Sequence, residues 1–121
     1  MAILNYQKRF APLVEKGKKR QTIRAKRKYP IRAGETLYHY TGLKTKSARL
    51  LKKSICIYVA DITIDLDIDN RVEIVINGNM PLSYKEKETL AKKDGFSNVN
   101  EMFNFFRDIY GLPFHGQIIR W

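Results

Sequence analysis

The sequence contains one cysteine and no apolar run that approaches the roughly 18 residues needed to span a bilayer. A single cysteine cannot form an internal disulfide, and the apolar neighbours of Cys56 indicate a buried free thiol in a reducing compartment. Only three consecutive apolar residues follow Met1, which is too few for a signal peptide. We therefore expect a cytoplasmic protein that does not enter a membrane.

Residues that would hold a metal or a cofactor are also scarce. The two histidines, His39 and His115, are isolated, and one cysteine cannot supply a zinc site. The segment DLDIDNRVEIVI superficially resembles a calcium loop, but Asn70 replaces the required glycine and Ile76 the required acid. The sequence has no glycine-rich phosphate loop and no local Ser-His-Asp or Cys-His arrangement. We expect no metal and no cofactor.

Acidic residues are few in the first half of the chain. Residues 8–53 contain 16 basic and two acidic residues, a charge of +14, whereas residues 54–121 contain seven basic and ten acidic residues, a charge of −3. Clustered positive charge favours a polyanion as the partner, because contacts to phosphates release counterions. The alternative is that the charge serves solubility alone.

The length of 121 residues and the lack of a linker-like segment predict a single domain, residues 1–121. Hydrophobic periodicity predicts that it is mainly β with flanking helices. Strands are predicted at 3–7, from 22 onward, at 36–40, within 53–69, at 71–78 and at 114–121. Helices are predicted at 9–16, at 83–93 after a Ser-x-x-Glu capping box, and at 98–110 after an Asn-x-x-Glu box. We expect a mainly antiparallel small β-barrel or curled sheet with two or three helices packed on it.

The basic stretch EKGKKRQTIRAKRK, residues 15–28, contains a specific spacing. Gly17, Lys19, Thr22 and Arg24 follow the pattern Gly-x-Lys-x-x-Thr-x-Arg. Glycine lets the chain turn out of the preceding helix. Thr22 and Arg24 share one face of a strand, which Lys19 can reach from the entering loop. An ammonium, a hydroxyl and a guanidinium around one pocket suit an anionic or carbonyl-rich ligand such as a nucleotide.

The remaining basic residues of this stretch admit three interpretations: a phosphate track that leads to the cleft, a nuclear localisation signal, or a solvated surface. The expected folded context argues against the signal. These residues are Lys16, Lys18, Arg20, Lys26, Arg27 and Lys28. Four tyrosines near basic residues could stack bases if exposed, although strand tyrosines are more often half-buried. They are Tyr29, Tyr38, Tyr40 and Tyr58.

Three stretches in a fixed order carry a family resemblance. They are GKKRQTIR, which holds the spaced pattern, IRAGETLYHY, and AKKDGFSNVNEMFNFFRDIYG followed by FHGQIIRW. Over nearly its whole length the chain resembles the ASCH-domain proteins of the PUA-like superfamily. The resemblance implies a PUA-like small β-barrel, in which the motif residues line a cleft. Because PUA domains bind RNA, it also implies an RNA or nucleotide ligand.

The resemblance further implies an enzymatic alternative. One branch of the family hydrolyses the amide of N4-acetylcytidine with a lysine, a threonine and a glutamate, which map by position to Lys19, Thr22 and Asp94. Other members are linked to RNA cleavage. Asp94 departs from that branch because aspartate is one methylene shorter, and a displacement of about 1 Å can cost on the order of 100-fold in rate.

We therefore expect an ASCH-type PUA-like domain that binds RNA or a nucleotide in a basic cleft, with Gly17 and Arg24 as ligand-binding residues. The first alternative is an amidohydrolase or a ribonuclease. In it Lys19, with a pKa lowered by Arg24, is the base toward Thr22, and Asp94 protonates the leaving amine. The second alternative is an adaptor domain without chemistry that has a protein partner.

Overall fold

The computed structural model describes all residues, 1–121, and has an α+β fold of seven strands and three helices. The strands are β1 (Ala2–Tyr6), β2 (Gln21–Ala25), β3 (Thr36–Thr41), β4 (Arg49–Ile55), β5 (Tyr58–Leu66), β6 (Val72–Ile76) and β7 (Phe114–Arg120). The helices are α1 (Ala11–Glu15), α2 (Tyr84–Lys93) and α3 (Val99–Tyr110). The predicted α+β class is confirmed. None of the helices has the length and apolar composition needed to cross a membrane.

The strands form two sheets and do not close into one hydrogen-bonded barrel. The first sheet has the order β1-β3-β4, in which β1 is parallel to β3 and β4 is antiparallel to it. The second has the order β2-β7-β5-β6 and is antiparallel throughout. Both sheets and all three helices contribute to one core of 26 buried apolar residues.

The strand signal in 53–69 is divided between the two sheets, so the prediction of one strand there is wrong. β4 ends at Ile55 and pairs with β3, whereas β5 begins at Tyr58 and pairs with β7 and β6. Cys56 is buried at the crossing, where its N–H donates to the Glu35 carbonyl at 2.8 Å. The alternating apolar pattern also extends beyond β5, which ends at Leu66. Ile68, which continues the pattern, is 97% exposed and does not belong to the core. A periodic pattern does not reveal where a chain changes sheets.

The helix boundaries follow the predicted capping residues. Ser83 accepts a hydrogen bond from the Glu86 N–H at 3.2 Å, and the Glu86 carboxylate accepts one from the Ser83 N–H at 2.9 Å. Asn98 caps α3 by accepting from the Glu101 N–H at 2.9 Å. Four residues of α3 are fully packed in the core: Val99, Met102, Phe103 and Phe106. This packing sets α3 beside the candidate site.

Candidate functional site

A cavity of about 180 Å³ lies among helix α3, strands β1 and β2, and the turn that follows α2. Lys19, Thr22, Arg24 and Asp94 line it together with Tyr6. The two predicted stretches, separated by about 70 residues in sequence, therefore meet in one place. Cavities of roughly 150 Å³ accept a benzene ring, whereas sites for whole small molecules measure about 300–1,000 Å³. The cavity thus has room for one six-membered ring.

A turn at Gly17 directs Lys19 into the cavity. Gly17 has a φ of +75° and ends α1, and its N–H donates to the Val14 carbonyl at 3.1 Å. The next N–H, of Lys18, donates to the Leu13 carbonyl at 2.9 Å, which completes a Schellman motif. Lys19 is then buried, while the residues on either side of it are exposed. Gly17 itself does not line the cavity, so its role here is to shape the turn.

Lys19 and Asp94 form a buried pair. The Lys19 ammonium donates to the Asp94 carbonyl and lies 3.5 Å from Asp94 Oδ2, and both residues are at most 4% exposed. Burial lowers the pKa of Lys19 to about 8; the Asp94 carboxylate opposes this change, and Arg24 adds to it. Burial, opposed by Lys19, raises the pKa of Asp94. Desolvation therefore moves both pKa values toward neutrality, and Arg24 is a smaller cause than the sequence suggested.

Gln21, which the sequence did not single out, holds this pair in place. Its side-chain amide donates to Asp94 Oδ1 at 3.1 Å and to the Leu90 carbonyl at 3.3 Å. Its carbonyl oxygen accepts from Arg120 Nε at 3.0 Å. Gln21 lies two residues from Lys19 and is 1% exposed. The only sequence signal for it was an uncharged polar residue inside a basic run.

A second polar group occupies the β1 side of the cavity. Arg24 Nε donates to Thr22 Oγ1 at 2.9 Å, and the guanidinium carbon lies 4.7 Å from the centroid of the Tyr6 ring. The Tyr6 hydroxyl is hydrogen-bonded to His39 Nδ1 at 2.9 Å, and His39 Nε2 to Ser54 Oγ at 2.7 Å. Burial raises the pKa of Tyr6 and lowers that of His39 to about 4. Tyr6 and His39 are both neutral at pH 7, so Arg24 carries the charge of this wall.

The turn Asp94-Gly95-Phe96 places a carboxylate and an aromatic ring on opposite sides of a glycine. Asp94 is the C-cap residue of α2, and Gly95 follows with a φ of +96°. A Cβ at Gly95 would lie 2.9 Å from the Phe10 ring and 3.3 Å from the Lys19 side chain. The Phe96 ring packs against Phe10 with centroids 5.4 Å apart. Asp94 is thus both a helix cap and a cavity residue.

The six other basic residues of the opening stretch lie outside the cavity. Lys18 and Arg20 line a separate pocket. Lys26 and Lys28 are exposed beyond the far end of β2, and Arg27 donates to the Ile3 carbonyl at 3.2 Å. Lys16 is exposed at the end of α1. Of the four tyrosines only Tyr29 is largely exposed, at 80%, so stacking on the other three would use half-buried rings.

Comparison with known proteins finds no matching family model, no matching curated protein and no matching solved structure. The resemblance to ASCH-domain proteins consequently depends on the motifs alone. An α+β fold hosts many unrelated functions, so the function of this chain has to be argued from the geometry and chemistry of its site.

Proposed function

We propose that the chain is an ASCH-type PUA-like domain that binds RNA or a nucleotide, with one base in the cavity beside α3. The observation that carries the proposal is the convergence of Lys19, Thr22 and Arg24 on a cavity the size of one ring. Four aromatic side chains of its wall offer surfaces against which a base can pack: Phe10, Phe96, Phe105 and Tyr110. The two sheets, which share one core, are proposed to correspond to the barrel of the PUA-like fold.

The polar groups of the cavity suit the carbonyl oxygens and ring nitrogens of a base. Arg24 donates to Thr22 through its Nε only, so its terminal nitrogens remain available as donors. The ribose and phosphate would stay outside, because the cavity holds a ring and not a nucleotide. A groove of about 610 Å³ adjoins the cavity at Tyr6 and leads to Lys8, which would supply positive charge for the backbone. Arg49 also lines this groove but is paired with Glu15 at 2.6 Å.

The test is a salt-dependent titration of single-stranded RNA with two matched variants. Thr22→Val keeps the volume and removes a hydroxyl inside the cavity; Lys26→Ala removes an exposed charge outside it. We expect Thr22→Val to weaken binding about tenfold at every salt concentration. Lys26→Ala should instead reduce the slope of log affinity against log salt by about 0.7. A wild-type slope near zero, or an unchanged affinity of Thr22→Val, would contradict the proposal.

Hydrolysis of an amide, as in the N4-acetylcytidine branch, is a second candidate. The observation that favours it is the pKa of Lys19, about 8, beside a threonine and a carboxyl group that can hold a proton. Neutral Lys19 would accept the Thr22 proton while Oγ1 attacks the carbonyl carbon. As the C–N bond breaks, Asp94 would protonate the amine, and water would then hydrolyse the threonine ester.

Incubation with N4-acetylcytidine and with single-stranded RNA tests this chemistry and the ribonuclease alternative together. Wild type should release acetate or cleave RNA, and Lys19→Met and Thr22→Val should each lose the activity while remaining folded. Absence of turnover in the wild type, or equal turnover in all three proteins, would exclude this site as a catalyst and leave binding as its function.

A further inference from the structure

A second pocket, of about 360 Å³, lies beyond Gln21 from the cavity. Four basic side chains line it, together with Ile57 and Trp121, and we call it the basic pocket. The four are Lys18 and Arg20 from the loop before β2, Lys93 from the last turn of α2, and Arg120 from the end of β7. They come from three separate parts of the sequence, so the cluster is created by the fold and not by one charge run.

No acidic side chain neutralises these four cations. None of them takes part in the ion pairs of the structure, and no acidic residue lines the basic pocket. Lys18, Arg20 and Lys93 make no side-chain hydrogen bond, and Arg120 makes one, through Nε. Four like charges around one hollow repel one another, and the potential that they create there favours an anion.

Two features fix the geometry of the basic pocket. Arg120 is held by the hydrogen bond from its Nε to Gln21 and by the Tyr58 ring, whose centroid is 4.8 Å from the guanidinium carbon. Its terminal nitrogens remain free in a planar fork, which matches the oxygens of a phosphate. The backbone N–H of Trp121 donates to the Arg20 carbonyl at 3.2 Å and so ties Arg20 to the end of β7.

Trp121 also provides an observation that is independent of charge. It is 5% exposed, and its Nε1 is the one buried side-chain polar atom of the structure without a hydrogen-bond partner. An unpartnered buried N–H costs free energy, so such a group calls for an explanation. This donor belongs to a residue that lines the basic pocket, but the atom is closed to solvent, so an oxyanion in the pocket could accept from it only after the Trp121 ring moves.

We propose that the basic pocket is a phosphate-binding site distinct from the ring-sized cavity. Its ligand is a phosphate group, either of a free phosphate compound or of an RNA backbone. The proposal holds whatever occupies the cavity, because the two sites share no lining residue. Gln21 connects them, since it bonds Arg120 of one site and Asp94 of the other.

The test compares two double variants with the same loss of charge. Arg20→Gln/Lys93→Gln removes two cations of the basic pocket, whereas Arg32→Gln/Arg71→Gln removes two exposed cations that line neither the cavity nor the basic pocket. Inorganic pyrophosphate is titrated into each protein at fixed ionic strength, with calorimetry and the fluorescence of Trp121 as readouts. A single-stranded RNA is titrated in parallel.

We expect the basic-pocket variant to bind pyrophosphate at least about tenfold more weakly than the wild type, and the control variant to change affinity by less than about twofold. If the two variants differ in this way with RNA but not with pyrophosphate, the phosphate that the basic pocket binds belongs to an RNA backbone. Equal losses in both variants, or no binding of either ligand by the wild type, would overturn the proposal. Thr22→Val should keep its affinity for pyrophosphate, which separates this site from the proposed base cavity.

Discussion

The pH dependence of folding tests the buried pair of Lys19 and Asp94. Burial lowers the pKa of Lys19 from its ordinary 10.5 to about 8, although the Asp94 carboxylate opposes the change. In the unfolded chain, lysine keeps its proton up to the ordinary value. Between the two pKa values the unfolded state therefore binds more protons than the folded state. The free energy of unfolding must rise with pH across this window, because charged Lys19 destabilises the fold.

The size of the effect follows from the two pKa values. Their difference of about 2.5 corresponds to about 3 kcal/mol, since one pKa unit is worth about 1.36 kcal/mol. Integration from about pH 7 to about pH 9.5, where most of the change occurs, gives about 2 kcal/mol. Such a gain is a large fraction of the roughly 5–15 kcal/mol that stabilises a typical domain.

The measurement is urea unfolding, followed through the fluorescence of Trp121, which is the only tryptophan and is buried. The reference protein is Lys19→Met/Asp94→Asn, in which neither position titrates. Other groups whose pKa differs between the folded and unfolded states, such as Cys56, whose pKa is raised by burial, are present in both proteins and cancel in the difference. A difference that stays flat with pH would refute the desolvation of Lys19. A difference that falls would mean that the ion pair with Asp94 outweighs burial.

Two further predictions concern the frame of the site. Gly95 and Gly34 both have positive φ, but a Cβ meets the Phe10 ring only at Gly95 and nothing within 4 Å at Gly34. In urea unfolding, Gly34→Ala should lower the free energy of unfolding by about 1–2 kcal/mol because of the backbone alone. Gly95→Ala should lower it further and should also weaken the proposed binding of a base. Equal losses of stability in the two variants would contradict the packing argument. The pKa of His39 is lowered by burial to about 4, below that of the unfolded chain. Stability should therefore fall as the pH drops from about 6.5 toward 4, and His39→Gln should show a smaller fall in the same assay.

The sequence contained enough information for the parts of the fold that depend on local patterns. The capping boxes at Ser83 and Asn98 predicted the start of α2 and α3, because a cap is satisfied by residues three positions away. The apolar spacing of α3 predicted its buried face for the same reason. The separation of β4 from β5 at Cys56 was missed, since it depends on which strand each segment pairs with and not on local periodicity.

The same distinction between local patterns and long-range contacts applies to the candidate site. Lys19, Thr22 and Arg24 lie within six residues, so their spacing was visible in the sequence. Gln21 and Tyr6 were missed because their partners are distant: Gln21 bonds Asp94 across 73 positions, and Tyr6 bonds a histidine 33 positions away. Contacts of that range come from the pairing of sheets and from helix packing, which no short motif encodes.

The fold also divides the basic stretch in a way that its total charge could not reveal. Lys19 is buried, and burial lowers its pKa to about 8. Its neighbours Lys18 and Arg20 remain exposed and line a pocket that has no acidic side chain. Residues 18–20 precede β2, and the turn at Gly17 is what directs Lys19 inward while its two neighbours stay at the surface. A ring-sized cavity and a cationic pocket therefore lie on either side of Gln21. A ligand that carried both a base and a suitably distant phosphate would find matching chemistry at both.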